Sequence, residues 1–350
     1  MIVVGIDAHK KTHTGCAIGG MVGESLGEVT VAANQEGHER LLLWATSISS
    51  DRLWAIEDCR HVSGSLERFL VSVGETAVRV PPKLMAGTRR SARTPGKSDG
   101  IDARAVALAA LREPELPRAT LAGEERELRL LVDYRDQLVR ERTVIQQRIR
   151  WHLHELCPDL DVPSRALDRG PWPGRVTRRL RQMDPGVQVE IVSTQLKRMI
   201  QMTKQIDELE KRIASMVKTL APELLEIRGC GPLTAAKLVG EVAGVKRFAN
   251  AGKLALHAGV APLSVSSGQN QRHRLNRTGN RQLNAALHRI AITQASRDDR
   301  ARAYLARKQS EGKTKREALR CLKRHLARVV FKALQRGEER GRLEALAATS

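Results

Sequence analysis

Two apolar runs that each end in a carboxylate constrain this chain more than any other feature. Ile2-Val3-Val4-Gly5-Ile6 leads into Asp7, and Leu53-Trp54-Ala55-Ile56 leads into Glu57. A short uninterrupted apolar run bounded by polar residues reads as a buried strand. Acids placed at the ends of such strands can converge in space, whereas acids scattered over a surface cannot.

The intervening pattern supplies the rest of a layered domain. Thr14–Ile18 and Glu28–Ala32 read as further strands, with His9-Lys10-Lys11 in the first turn. Glu36–Ser47 and Val62–Val73 read as helices, and Ala77–Val80 as a short strand stopped by Pro81-Pro82. The order β-β-β-α-β-α-β-α predicts an α/β domain over residues 1–120, with the RNase H-like arrangement of a sheet covered by helices. A basic, small-residue loop follows, carrying Arg89, Arg90, Arg93 and Lys97. Ser98 then serves as N-cap for a helix whose first turn holds Asp99 and Asp102 on one face. Acids in a first turn also arise simply because they offset the helix dipole, so this pair alone has two readings. Gathered with Asp7 and Glu57, however, four carboxylates would repel and raise one another's pKa, which predicts a bound cation. Hard oxygen ligands suit Mg²⁺, and two such ions would serve phosphoryl transfer. His9, His13 and His61 are expected to stay outside the ligand set.

Beyond residue 120 the pattern becomes helical. Leu121–Leu156 is a charge-rich helical stretch, and a second runs to about Leu220 with Val192, Leu196, Met199, Ile206 and Ile213 at helical spacing. Residues 158–185, containing Gly170-Pro171-Trp172-Pro173-Gly174, read as an irregular linker. The segment 121–221 is expected to be a coiled-coil spacer, a dimer contact or a helical spacer packed within the chain. Residues 222–350 read as a mostly α domain. In it, Ile227–Ala236 has the glycines (Gly229, Gly231) of a helix-hairpin-helix turn, which lets backbone amides approach phosphate. A helix around Gly252–Ala258 precedes a Ser-Gly loop with Ser266, Ser267 and Gly268. Then comes the basic stretch Arg272, Arg274, Arg277 and Arg281, and basic helix including Lys313, Lys315, Arg316, Arg320, Lys323, Arg324 and Arg328.

The partner follows from charge. With 60 Lys+Arg against 39 Asp+Glu, the net charge of +21 points to a polyanion, and Lys10 and Lys11 add to the basic set. Aromatic residues make up only 3%, so backbone electrostatics rather than base stacking should dominate. No run approaches the ~18 apolar residues of a membrane span. The strand-like N-terminus and the dispersed cysteines predict a cytoplasmic protein with reduced thiols, and a polyanionic partner adds the expectation of a bacterial, nucleoid-associated location. A hydroxyl beside glycine in a basic loop, as at Ser267, is either a plain turn or a nucleophile for phosphate.

These residues resemble a known family. Val4-Gly5-Ile6-Asp7-Ala8-His9-Lys10, Ile56-Glu57, Lys97-Ser98-Asp99-Gly100-Ile101-Asp102-Ala103, Gly229-Cys230-Gly231-Pro232, Ala258-Gly259-Val260-Ala261-Pro262 with Ser267-Gly268, and Gly279-Asn280-Arg281-Gln282-Leu283 follow the pattern of the DEDD transposases of insertion sequences, the IS-one-ten family. The resemblance implies that Asp7, Glu57, Asp99 and Asp102 form the DEDD set and that Ser267 is a nucleophilic serine. Asp58 and Ser266 leave a one-residue ambiguity at two of these sites. It further implies a recombinase guided by a noncoding bridge RNA pairing with donor and target DNA. Such a protein works as a homo-oligomer, dimer or tetramer, with acids and serine drawn from different subunits. A hydrolytic resolvase-like nuclease using the four acids alone is the competing reading.

Overall fold

In the computed structural model, all residues are described except 20–22, 58–59, 82–83, 86–97, 114–115, 117, 120–122, 268–269, 275, 277–278 and 349–350. The chain divides into two compact units, 1–123 with 244–279, and 124–243 with 280–350. This division crosses the three consecutive segments expected from composition, because residues 244–279 group with the N-terminal part.

The N-terminal part is a mixed five-stranded sheet. Strands β1 (Ile2–Ala8), β2 (Thr12–Gly19), β3 (Glu24–Ala32), β4 (Arg52–Glu57) and β5 (Ala77–Val80) lie in the order β3-β2-β1-β4-β5. β1, β2 and β3 pair antiparallel, whereas β1, β4 and β5 pair parallel. Helices α1 (Gln35–Ile48) and α2 (Arg60–Ser72) supply Leu41, Ala45, Leu66 and Leu70 to the core formed by Val4, Ile6, Trp54 and Ile56. Helix α3 (Asp99–Arg112) contributes Ala103, Val106, Ala107 and Ala110 to a second core with Val3, Ala55, Val78 and Val80. Alternating residues of β1 thus serve two cores, which explains its unbroken apolar sequence.

Gly5 sets how closely α3 can sit. A Cβ at Gly5 would lie 2.2 Å from the Ala103 carbonyl oxygen and 2.5 Å from the Ala107 nitrogen. Only a residue without a side chain lets the helix backbone rest directly on β1. That contact brings the acidic first turn of α3 toward the C-terminal end of the strand.

Residues 244–279 hold a 3₁₀ turn (Val245–Arg247), helix α9 (Ala251–His257) and a β-hairpin. The hairpin pairs β6 (Leu263–Ser267) with β7 (Asn270–Arg274), in register from Leu263↔Arg274 to Ser267↔Asn270. The sequence predicted a loop here; the paired strands are a correction. Below the hairpin the chain meets itself. A Cβ at Gly279 would lie 2.1 Å from the Gly259 nitrogen, and Gly259 adopts φ +66. The Asn276 side chain donates to the Leu256 carbonyl at 3.2 Å across the same neck.

The second unit is helical. Helices α4 (Glu124–Leu156) and α6 (Val187–Leu220) run antiparallel, as the pairs Arg135–Glu210, Arg142–Thr203 and Glu155–Gln188 require. Leu138, Ile145, Ile149 and Leu153 bury against Val192, Leu196, Met199 and Ile206. The expected linker 158–185 instead contains helix α5 (Trp172–Arg181), whose Val176 and Leu180 join this core. Pro171 is its N-cap and Pro173 lies in its first turn, where a missing N–H costs nothing. A short helix α7 (Pro222–Leu225) and helix α8 (Pro232–Val242) follow, and then α10 (Arg281–Arg297), α11 (Asp299–Ser310) and α12 (Lys315–Ala348). The buried Lys237 of α8 pairs with Asp136 of α4 at 2.6 Å and donates to Gln282 of α10 at 3.3 Å. Glu241 accepts from Asn280 at 2.6 Å, completing a polar tie among three helices. No helix among the described residues is long and apolar enough to cross a membrane.

Candidate metal centre

Asp7 is the last acid of a buried strand, 4% exposed, at the end of β1 that α3 covers. The parallel register pairs Ile6 with Ile56, so Glu57 follows on the adjacent strand. The Ser98 hydroxyl caps α3 by accepting from the Ile101 amide, which fixes the first turn that carries Asp99 and Asp102. Asp102 is buried at 5% exposed, Glu57 is half-buried and Asp99 is exposed. Burial is the largest influence raising the Asp7 pKa; His9 opposes it, and the charges of Asp102, Glu57 and Asp99 add to it. The other three sequence-predicted acids thus each act electrostatically on Asp7.

Asp7 Oδ2 is buried and accepts no hydrogen bond. The His9 ring nitrogen Nε2 lies 3.1 Å away, near enough to act electrostatically but not aligned to donate to that oxygen. A buried carboxylate oxygen of this kind costs free energy unless a cation meets it. The donor chemistry fits a hard divalent ion: Asp7 feels the charges of three further carboxylates, and one of them, Asp99, faces solvent. Asp7, His9 and Asp99 each offer a ligand atom, and these atoms all lie within 4.8 Å of one another.

His9 departs from the sequence expectation, which left it outside the set. His9 follows β1 in the turn to β2, and its ring lies beside Asp7 and Asp99. His13, by contrast, stays away from the acids. It is fully buried and stacked on His38 at 5.5 Å, and burial followed by the His38 charge pushes its pKa down to about 4.

The remaining candidate residues fall into three groups. Lys10 and Lys11 are exposed in the β1–β2 turn, and Arg281 is exposed at the start of α10. Gly229 (φ +86) faces Thr293, with a hypothetical Cβ 2.9 Å from its Cβ, whereas Gly231 caps α8 in open space. Arg89, Arg90, Arg93, Lys97 and Arg277 lie outside the described residues. Ser267 ends β6 at the hairpin turn, and Arg272 and Arg274 stand on β7.

The basic helix expected from the sequence is α12, and its cations follow a regular spacing. Arg316, Arg320, Arg324, Arg328, Lys332, Arg336 and Arg340 recur at every fourth residue. Successive members are about 6 Å apart along the helix axis. Arg336 and Arg340 pair with Glu226 and Glu223, while Arg316, Arg320, Arg328 and Lys332 are exposed.

Comparison with known proteins gives a consistent answer. Residues 4–158 match a family model for DEDD transposases of the IS110 type, described as Transposase. Residues 221–306 match one described as Transposase IS116/IS110/IS902 family. The chain is 27% identical to an uncharacterized 44.8 kDa protein of insertion element IS116 from Streptomyces clavuligerus, covering 95% of this chain and 94% of that protein. It is 24% identical to an uncharacterized 42 kDa protein of insertion element IS900 from Mycobacterium paratuberculosis, covering 95% of each. A shorter match, 36% identical over 37% of this chain and 33% of the relative, is to a 43.6 kDa protein of insertion element IS110 from Streptomyces coelicolor.

Proposed function

The chain belongs to the IS110 family of insertion-sequence transposases, and from that premise we propose that it cuts and rejoins DNA by metal-dependent phosphoryl transfer with Ser267 as nucleophile. The observation that supports this reading is that Glu57, Asp99 and Asp102 each act electrostatically on Asp7, one of whose oxygens is buried without a hydrogen bond. The strand order, antiparallel on one side of β1 and parallel on the other, supports an RNase H-like (RuvC-like) domain. Asp7, Glu57, Asp99 and Asp102 would hold Mg²⁺, two ions in the full site, which when bound neutralise the phosphate and align the entering and leaving oxygens.

The chain's own residues do the rest. The serine hydroxyl attacks the scissile phosphorus and loses its proton as the P–O bond to one DNA oxygen breaks; that oxygen leaves as a hydroxyl. The resulting phosphoserine ester keeps the energy of the phosphodiester, so a DNA hydroxyl can later displace the serine without a high-energy cofactor. Ser267 is the last residue of β6, paired with Asn270 of β7, and that end of the ribbon is where the proposed nucleophile stands.

Nucleic acid is held by cationic side chains: Lys10 and Lys11, the arginines of 89–97 and 272–281, and the α12 series. The net charge of +21 suits a protein that handles donor and target DNA together with a bridge RNA. In this reading the active assembly is a homo-oligomer, a dimer or tetramer, in which acids and serine of different subunits form one site.

The test is to incubate the protein with element-end DNA and Mg²⁺ and look for a denaturation-resistant protein–DNA adduct. Ser267→Ala should abolish the adduct while DNA binding persists. An undiminished adduct transfers the role to another residue, Ser266 first. Nicked DNA with no attached protein, made equally well by Ser267→Ala, would instead establish water as the nucleophile.

A further inference from the structure

The four-carboxylate reading leaves His9 among the acids without a role. Its ring nitrogen Nε2 lies 3.1 Å from Asp7 Oδ2 and 3.4 Å from Asp99 Oδ1. Neighbouring ligands about 2.1 Å from a shared ion stand roughly 3 Å from each other, so these separations are those of one coordination shell. A hydrogen bond to Asp7 does not explain the shorter contact, since Oδ2 is buried and accepts none. The backbone at His9 is fixed: its amide donates to the Thr12 carbonyl at 2.9 Å, closing the β1–β2 turn shortly after Asp7.

We propose that His9 is a direct nitrogen ligand to the ion held by Asp7 and Asp99, making this a mixed nitrogen–oxygen centre. The proposal rests on the reading that the carboxylates bind a divalent cation. Its consequence is metal preference. Carboxylates alone favour hard Mg²⁺, whereas an imidazole adds affinity for transition ions. The protein should therefore hold Mn²⁺ more tightly than Mg²⁺, and by a margin that depends on His9.

The experiment titrates Mn²⁺ into the full-length protein without nucleic acid. Loss of the free-ion paramagnetic resonance signal measures binding, and pulsed resonance on the bound ion reads nitrogen coupling. Wild type should show imidazole ¹⁴N coupling that disappears in His9→Ala. Losing even an outer partner of a ligand weakens metal binding about 10–100-fold, so His9→Ala should raise the Mn²⁺ Kd by on the order of tenfold or more. Mg²⁺ affinity, read by competition, should fall less. Asp7→Asn should abolish binding, which locates the ion at this centre. His9 is half exposed, so a thermal melt of His9→Ala is expected to overlay the wild type. Mn²⁺ bound at Asp7 without nitrogen coupling, or coupling that survives in His9→Ala, overturns the His9 assignment and leaves the carboxylate reading standing. Wild type that binds no Mn²⁺ overturns both.

Discussion

Replacing Gly5 with alanine tests how the fold assembles the acids. The new Cβ would lie 2.2 Å from the Ala103 oxygen, 2.5 Å from the Ala107 nitrogen and 2.7 Å from the Ala107 Cβ. Comfortable separations are about 3.5 Å, so α3 must withdraw from β1 by on the order of 1 Å. Two of the three obstructing atoms are helix backbone and cannot rotate away, which places the cost near the top of the usual overpacking range, about 3 kcal/mol. The entropic benefit of alanine over glycine in the unfolded chain, about 0.4–1 kcal/mol, opposes this and is too small to win. At about 2–4 °C per kcal/mol the melting temperature should fall by roughly 5–10 °C. Asp99 and Asp102 ride on the same helix, so Mn²⁺ affinity should fall in the same variant. Gly64→Ala is the internal control: it sits within α2, where a Cβ meets only the Arg68 side-chain end at 3.4 Å. That change should be neutral or stabilising by up to about 1 kcal/mol. A Gly5→Ala protein that melts within about 1 °C of wild type and binds Mn²⁺ unchanged would refute the packing argument.

Three further outcomes are expected. His13 has its pKa lowered from 6.5 to about 4, so the unfolded chain takes up the proton first as pH falls. Stability is therefore full above pH 6.5 and declines between 6.5 and 4 by about 3 kcal/mol, at about 1.36 kcal/mol per pH unit; His13→Leu should flatten this part of a melting-temperature profile. Asp7 shows the opposite sign: its raised pKa means its contribution is full below 3.8 and is lost as pH rises through the folded value, so at neutral pH the ionised, metal-free site is destabilising. Asp7→Asn should accordingly melt higher than wild type in chelator, while added Mg²⁺ stabilises only the wild type. Finally, Arg320, Arg328 and Lys332 are exposed members of the α12 series. Reversing all three to glutamate should make the log–log salt dependence of DNA affinity shallower by roughly 2–3, at about 0.9 for each phosphate that is no longer neutralised; an unchanged slope would remove α12 from the DNA-binding surface.

The centre of the N-terminal sheet was legible because β1 and the middle of β4 are buried on both faces. Such strands must be apolar throughout, and their ends show as the polar residues Asp7 and Glu57. The Ser98 cap likewise announced α3 and its two acids, since capping is a local interaction. Placement of His9 was harder to read, because a turn residue's direction depends on the neighbouring strand. Helix α5 was hidden by Pro171, Pro173 and the flanking glycines, whose helix-breaking force vanishes in a first turn. The β6–β7 ribbon was missed for a different reason: Ser264, Ser266, Arg272 and Arg274 provide little of the apolar alternation by which strands are recognised. The grouping of 244–279 with the N-terminal part is a property of the fold in three dimensions, and no local pattern carries it.

The backbone crossing at Gly259 and Gly279 makes the serine-bearing hairpin a module with a fixed base. Because closing a loop costs only logarithmically more as it lengthens, residues can be added or removed above that base with little burden on the body of the protein. Under the serine mechanism proposed above, the ribbon's length would set how far Ser267 extends from that base. Variants with a longer or shorter ribbon would then move the cleavage position while leaving the body of the protein unchanged.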